Sequence, residues 1–387
     1  MKPIIVIADD ITGAAEMAGL ALSEGCRVRF TTQIDQLSHQ VGEAEVVVVA
    51  TDTRSMLPGE ASRTTMHLVD ELRQMGEVTL FKKCDSALRG YIVPELCELM
   101  RVGYERALIL AANPSKGRRI EQGIYTIDGT PIAETVFSTD PEFPARTSEV
   151  TALSRSGICT VEAEYHTLEE GVSGVTIGQS RSVEEIGAWI EQLEEDTLLV
   201  GAADAFRALL HKMGHLATDT ASTFAGLEGR QTLIVCGSTV RHDLSGEPLF
   251  QRNRVAECPM PDCVFEGASA RGWIAEAQAL MASEQYLLLR IPQPIPATAD
   301  RAERRAKAVY LRNTMATTVA SLVKAHRPDE LIIEGGASAF AILEELGWSS
   351  FTVENEVAPG VVRLSHTESG CYVTFKPGSY PWGALFA

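Results

Sequence analysis

Short apolar runs alternate with segments of helical spacing through the first 110 residues, and that alternation leaves few folds open. Residues 4–8, 27–31, 46–51, 78–82 and 106–111 read as buried strands, and residues 13–22, 58–75 and 94–100 as helices. Strands and helices in this order argue for a parallel sheet with helices on its faces. From 113 to 144 the pattern breaks: Gly117, Gly123, Gly129 and several prolines mark an ordered functional loop or a hairpin insertion. Strand and helix patterns resume at 172–177, 183–194, 197–201 and 203–213. A second α/β unit starts at the apolar run 232–236 and continues to the end.

At 387 residues the chain exceeds the size at which one core usually stops growing. The expectation is two domains, 1–225 and 226–387, each a mostly parallel sheet flanked by helices, with an active-site cleft between them. Net charge is −18, so nucleic acid and anionic membrane are poor partners. An enzyme of anionic substrates would then have to gather its few cations locally. No run is long enough to span a membrane, and the first apolar run is too short for a signal segment. Eight scattered cysteines suit free thiols in the cytoplasm better than a disulfide framework.

The segment after the first strand is Asp9-Asp10-Ile11-Thr12-Gly13. Ligands of open α/β sheets bind at the carboxyl ends of strands, and helix N-termini favour anions. Asp9 and Asp10 could ligate Mg²⁺, hold substrate hydroxyls or act as base; one aspartate there could simply cap the helix. The fourth strand ends in Lys82-Lys83-Cys84-Asp85-Ser86-Ala87-Leu88-Arg89. Arg89 suits bidentate binding of a carboxylate, and Lys83 offers a point charge. Asp52 and Arg54 end a third strand, so three parallel strands deliver polar groups to one edge. A fourth loop, Asn113-Pro114-Ser115-Lys116-Gly117-Arg118-Arg119, has the composition of an anion cradle without P-loop spacing.

In the second half, Gly237-Ser238 follows one strand and Gly335-Gly336-Ala337-Ser338 another, with Pro359-Gly360 downstream. Glycines let backbone amides approach phosphates, which makes a nucleotide site the better reading of these turns together. No glycine fingerprint of a dinucleotide fold follows the first strand, no hydrolase triad is apparent, and His211 with His215 lack a third zinc ligand.

At these residues the chain resembles the four-carbon acid sugar kinase family. Ala8–Ala14 is similar to its Ala-Asp-Asp-x-Thr-Gly-Ala signature. Lys83 to Gly90 is similar to Lys-x-Asp-Ser-Thr-Leu-Arg-Gly, with Ala87 in place of threonine. Asn113, Pro114, Gly117, Arg118, Gly123, Gly129 and Pro131 follow a third pattern. The resemblance implies an N-terminal domain for the sugar acid and a C-terminal domain for ATP. It implies transfer of a phosphoryl group, with Mg²⁺, to the terminal hydroxyl of threonate, erythronate or 3-oxo-tetronate. Carried over by position, Asp9 and Asp10 are catalytic, and Arg54, Lys83, Asp85, Ser86 and Arg89 bind substrate, with Arg89 and Lys83 clamping its carboxylate. Gly237, Ser238, Gly335, Gly336, Ser338, Pro359 and Gly360 bind the nucleotide; no metal ligand is assigned. The chain departs from the family's Gly-Gly-Asp-Thr-Ala at Gly335 to Ala339, where Ala337 replaces a carboxylate. A non-catalytic sugar-acid-binding protein or regulator is the rival reading, and self-association into a homo-oligomer is compatible with either.

Overall fold

The computed structural model describes residues 2–140, 143–154, 163–172, 174–217, 224–237, 244–295, 301–378 and 381–386. The chain divides into two compact units, Met1–Thr220 and Ala221–Ala387.

In the first unit the elements run β1 (Ile4–Ala8), α1 (Ile11–Ser23), β2 (Val28–Thr31), α2 (Leu37–Val41), β3 (Val46–Ala50), α3 (Pro58–Gln74), β4 (Thr79–Lys83), α4 (Ile92–Met100) and β5 (Arg106–Leu110). After the small strands β6 (Arg118–Glu121), β7 (Ile124–Ile127) and β8 (Thr130–Pro131) come α5 (Val150–Ser154), β9 (Ala163–His166), β10 (Val175–Gly178), α6 (Val183–Glu191), β11 (Thr197–Gly201) and α7 (Ala203–Lys212). The main sheet has the order β2-β3-β1-β4-β11-β5-β10-β9, and every pairing in it is parallel. Because both faces are covered, the central strands β1 and β3 are apolar throughout rather than alternating. Ile5, Ile7, Val47, Val49 and Leu80 pack with Leu68 and Leu72 of α3 and Leu96 and Leu99 of α4. On the other face Phe81 meets Phe206 of α7 at a ring separation of 4.8 Å.

The glycine-rich stretch after β5 is the hairpin insertion: β6, β7 and β8 form a separate antiparallel sheet. Its entry is fixed by Asn113, whose Oδ1 accepts from the Asp204 amide at 3.0 Å. Asp204 in turn accepts from the Ser115 amide and hydroxyl at 2.9 and 2.7 Å.

The second unit contains β12 (Thr232–Cys236), α8 (Pro248–Arg252), β13 (Val255–Pro259), α9 (Asp262–Phe265), α10 (Arg271–Ser283), β14 (Tyr286–Arg290), α11 (Arg301–His326), β15 (Glu330–Glu334), α12 (Gly336–Leu346), β16 (Ser350–Ala358), β17 (Val361–His366) and β18 (Tyr372–Lys376). Its strand order is β13-β14-β12-β15-β18-β17-β16. The first five strands are parallel, and β17 and β16 add an antiparallel edge. Both units are therefore α/β with mostly parallel sheets, as the alternation predicts.

No helix among the described residues is long and apolar enough to cross a membrane. Among the described residues six cysteines are free thiols, as expected, and Cys97 is disulfide-bonded, which the sequence reading does not anticipate.

Candidate active site

In the first unit the chain reverses its direction of travel across the sheet at β1, which pairs with β3 on one side and β4 on the other. A crevice opens beyond strand ends at such a switch point. The segments leaving β1, β3 and β4 there carry the residues singled out in the sequence.

Asp9 is buried and takes a two-pronged ion pair from Arg54, with Nε donating at 2.9 Å and Nη2 at 2.8 Å. Arg54 Nη2 also donates to Asp10 at 3.0 Å, and its Nη1 stands 3.5 Å from Asp85. One guanidinium thus joins three carboxylates from two other strand ends. The turn that aims it passes through Asp52 in the left-handed region, at φ 52°, which an aspartate tolerates better than most residues. Burial pushes the Asp9 carboxyl up, but Arg54 and the Lys82 ammonium outweigh it and hold the group below the usual carboxylate range. Asp10 caps α1 through the Gly13 amide at 3.2 Å and accepts from the Thr12 hydroxyl. Both the capping role and a role in the cluster therefore hold for Asp10. A Cβ on Gly13 would lie 2.6 Å from Asp10 Oδ1, so only glycine leaves room for this cap.

Asp85 accepts from the Ala87 amide at 3.0 Å and from Arg89 Nε and Nη2, both at 2.9 Å. Burial raises its pKa, yet Arg54 and Arg89 together drive it far below the ordinary carboxylate value. Arg89 Nη1 donates to Asp140 at 3.1 Å, and its guanidinium lies 5.3 Å from the centre of the Phe137 ring. Ser86 accepts through Oγ from Arg118 and through its carbonyl from the Tyr125 hydroxyl. Lys83 donates to the Cys84 carbonyl at 2.7 Å and stands 3.9 Å from Glu16, which also pairs with Lys116. Burial raises the Glu16 pKa, but these two lysines more than cancel that and lower it.

The structure therefore brings together all seven residues expected in this unit: Asp9, Asp10, Arg54, Lys83, Asp85, Ser86 and Arg89. It adds Glu16 from α1 and Phe137 and Asp140 from the insertion, and it brings Arg118 of the glycine-rich loop onto Ser86.

In the second unit, Gly237 ends β12, Gly335 and Gly336 join β15 to α12, and Pro359-Gly360 turns β16 into β17. The register places Val235, Ile333, Phe375 and Val362 side by side, so these turns share one edge of the sheet. Gly335 has φ +101° and α12 has no side-chain cap, which leaves its first-turn amides open to an anion. A Cβ on Gly237 would fall 2.2 Å from Ser338 Oγ, so the β12 end and the α12 start touch. Beside the turn, Lys376 donates to Glu334 at 2.6 Å, both fully buried. Ser238 lies outside the described residues.

Residues 4–227 match the family model of a sugar-binding N-terminal domain, and residues 249–380 that of a nucleotide-binding C-terminal domain. The chain belongs to the four-carbon acid sugar kinase family. It is 25% identical to the D-threonate kinase of Salmonella typhimurium, covering 92% of this chain and 89% of that one. It is also 25% identical to the 3-oxo-tetronate kinase of Methylobacterium radiotolerans, covering 98% and 96%. The crystal structure of Haemophilus influenzae protein HI1011 shares the fold at a TM-score of 0.72 and 18% identity, over 99% of this chain and 98% of that one.

The strand-end motifs supply the residues expected for the sugar acid, while Glu16 and Asp140 escape a sequence reading. Glu16 looks like an ordinary helix position, and Asp140 meets Arg89 across 51 residues of chain. The only signal for the second was the glycine-rich break that contains it.

Proposed function

We propose that this protein transfers the γ-phosphoryl group of ATP to the terminal hydroxyl of a four-carbon sugar acid of the threonate, erythronate or 3-oxo-tetronate type. The observation that carries the reading is the junction at Arg54, which binds Asp9, Asp10 and Asp85 at the ends of a parallel sheet within the sugar-binding domain. The names of the relatives support the same chemistry.

In this reading the two aspartates have different tasks. Asp9 spends both oxygens on Arg54 and is buried, so it anchors the guanidinium. Asp10 is the less buried of the two and faces the reacting hydroxyl, orienting it and accepting its proton. Lys83, Asp85, Ser86 and Arg89 line the rest of the acid's site.

The open amides of α12 and the glycine turns beside them suit the phosphates of ATP. Mg²⁺ supplies charge neutralisation on those phosphates. The second unit holds it less directly, since Glu334 is engaged by Lys376 and Ala337 stands in the turn. Alignment of the hydroxyl with the γ-phosphorus does most of the remaining work, because phosphoryl transfer depends on positioning more than on covalent help. As an ATP-dependent enzyme of a small acid, the protein is placed in the cytoplasm on this reading.

A coupled assay of ADP release over a panel of tetronates tests it. Release that depends on one of the acids is expected. ATP binding without acid-dependent release would favour the non-catalytic binding protein instead.

A further inference from the structure

The cations around the substrate site differ in how far their donors are already spent. Arg54 serves Asp9 and Asp10 and stands by Asp85. Arg89 gives Nε and Nη2 to Asp85 and Nη1 to Asp140. Lys83 and Lys116 converge on Glu16. Each of these already has a carboxylate of the protein beside it.

Arg118 does not. Its Nη1 donates to Ser86 Oγ, and its guanidinium lies 5.6 Å from the centre of the Phe137 ring. Among the described residues no carboxylate stands at ion-pair distance from it, and its Nε and Nη2 make no hydrogen bond. Yet the side chain is half-buried and its backbone is built in: Arg118 N donates to the Asn113 carbonyl at 3.1 Å, and Arg118 pairs with Ile127 across the β6–β7 ladder. Glu16 acts on it only through space, and a partly desolvated guanidinium with no carboxylate in direct contact is costly, while its planar fork matches a carboxylate. The Phe137 ring holds that plane from one side. Because Ser86 Oγ accepts from Arg118, its own proton remains available to a second acceptor.

We propose that Arg118 receives the carboxylate of the substrate acid, with the Ser86 hydroxyl as a second donor, and so sets the preference for an acid over a neutral polyol. This deepens the kinase reading and takes the identity of the acid from it. This moves the carboxylate clamp, expected from the sequence at Arg89 and Lys83, to Arg118; Arg89, its donors taken by Asp85 and Asp140, lines the site beside the same Phe137 ring and positions it.

The experiment compares the wild type with Arg118→Ala and Arg118→Lys, using D-threonate and the neutral polyol threitol. ADP release gives KM and kcat, and calorimetry gives binding of D-threonate without nucleotide. Arg118→Ala is expected to raise KM for D-threonate about 100-fold and to remove most of the discrimination against threitol. Arg118→Lys should recover only part of the loss, because charge returns without the fork. The melting temperature and the ATP affinity should stay near wild type. Unchanged acid binding in Arg118→Ala overturns the assignment and leaves the kinase reading standing. If the wild type binds D-threonate without transferring phosphate, and Arg118→Ala loses that binding, the kinase reading fails and the assignment stands. If the wild type binds none of D-threonate, D-erythronate and 3-oxo-tetronate in the same calorimetry, both fall.

Discussion

Both carboxylate oxygens of Asp9 are held by the single guanidinium of Arg54, which reaches them from 45 residues further along the chain. This pair fixes the end of β1 against the turn after β3, and Asp10 and Asp85 are arranged around it. Arg54→Lys keeps the charge and loses the fork, so the three carboxylates should relax apart. A fall in kcat/KM of about 100-fold is expected from displacement alone, read in the coupled ADP assay.

Asp10→Asn preserves the size of the side chain and its cap on α1 while removing the proton acceptor. It should lower kcat by about 10²–10⁴-fold with little change in melting temperature. Asp9→Asn should instead lower the melting temperature, because it leaves Arg54 with a weaker partner in a buried place. A reversed pattern between the two would exchange their roles.

Gly90 tests how tightly the site is packed. It sits at φ +93°, and a Cβ there would lie 2.8 Å from Asp9 Oδ2. Gly90→Ala is expected to cost about 1–3 kcal/mol of stability in denaturant unfolding and to disturb the Asp9–Arg54 pair.

Much of this basis came from local pattern. A buried strand ending in Asp9-Asp10, and a second ending in Lys83 to Arg89, needed only strand-end logic to be placed together. Arg54 followed from the same reasoning. Asp140 is not legible, since its partner Arg89 lies far away in sequence; Arg118 stands out in its glycine-rich loop, but its contact with Ser86 does not, because the insertion has short strands with no strong period. The antiparallel edge of β16 and β17 in the second unit is not legible in the sequence either. Residues such as Glu354 and Glu356 interrupt its apolar pattern, because one side of that edge takes polar groups.

The carboxylates should also leave a pH signature. In the folded protein Asp85 titrates well below its ordinary value of 3.8, because Arg54 and Arg89 overcome the effect of burial. A depressed folded pKa contributes stability that is present above the unfolded value and lost as pH falls towards the folded one. Asp85→Asn should therefore destabilise the protein by about 3 kcal/mol at neutral pH, with the difference from wild type shrinking below about pH 4. Urea unfolding at several pH values measures it; a constant gap would mean that charge is not what Asp85 contributes.

In the second unit, Gly237→Ala would press a methyl group onto Ser338 and shift the start of α12. ATP affinity should fall about tenfold, equal to ~1.4 kcal/mol, with binding of the acid unchanged. Calorimetry with ATP and Mg²⁺, and separately with D-threonate, gives both numbers.

The most direct measurement follows the phosphorus itself. The protein is incubated with ATP, Mg²⁺ and each of D-threonate, D-erythronate and 3-oxo-tetronate, and ³¹P spectra are recorded with time. The account predicts a new phosphomonoester on the terminal carbon of at least one acid, formed in step with ADP and lost in Asp10→Asn. Inorganic phosphate as the sole product, or no product with any of the acids, would contradict it.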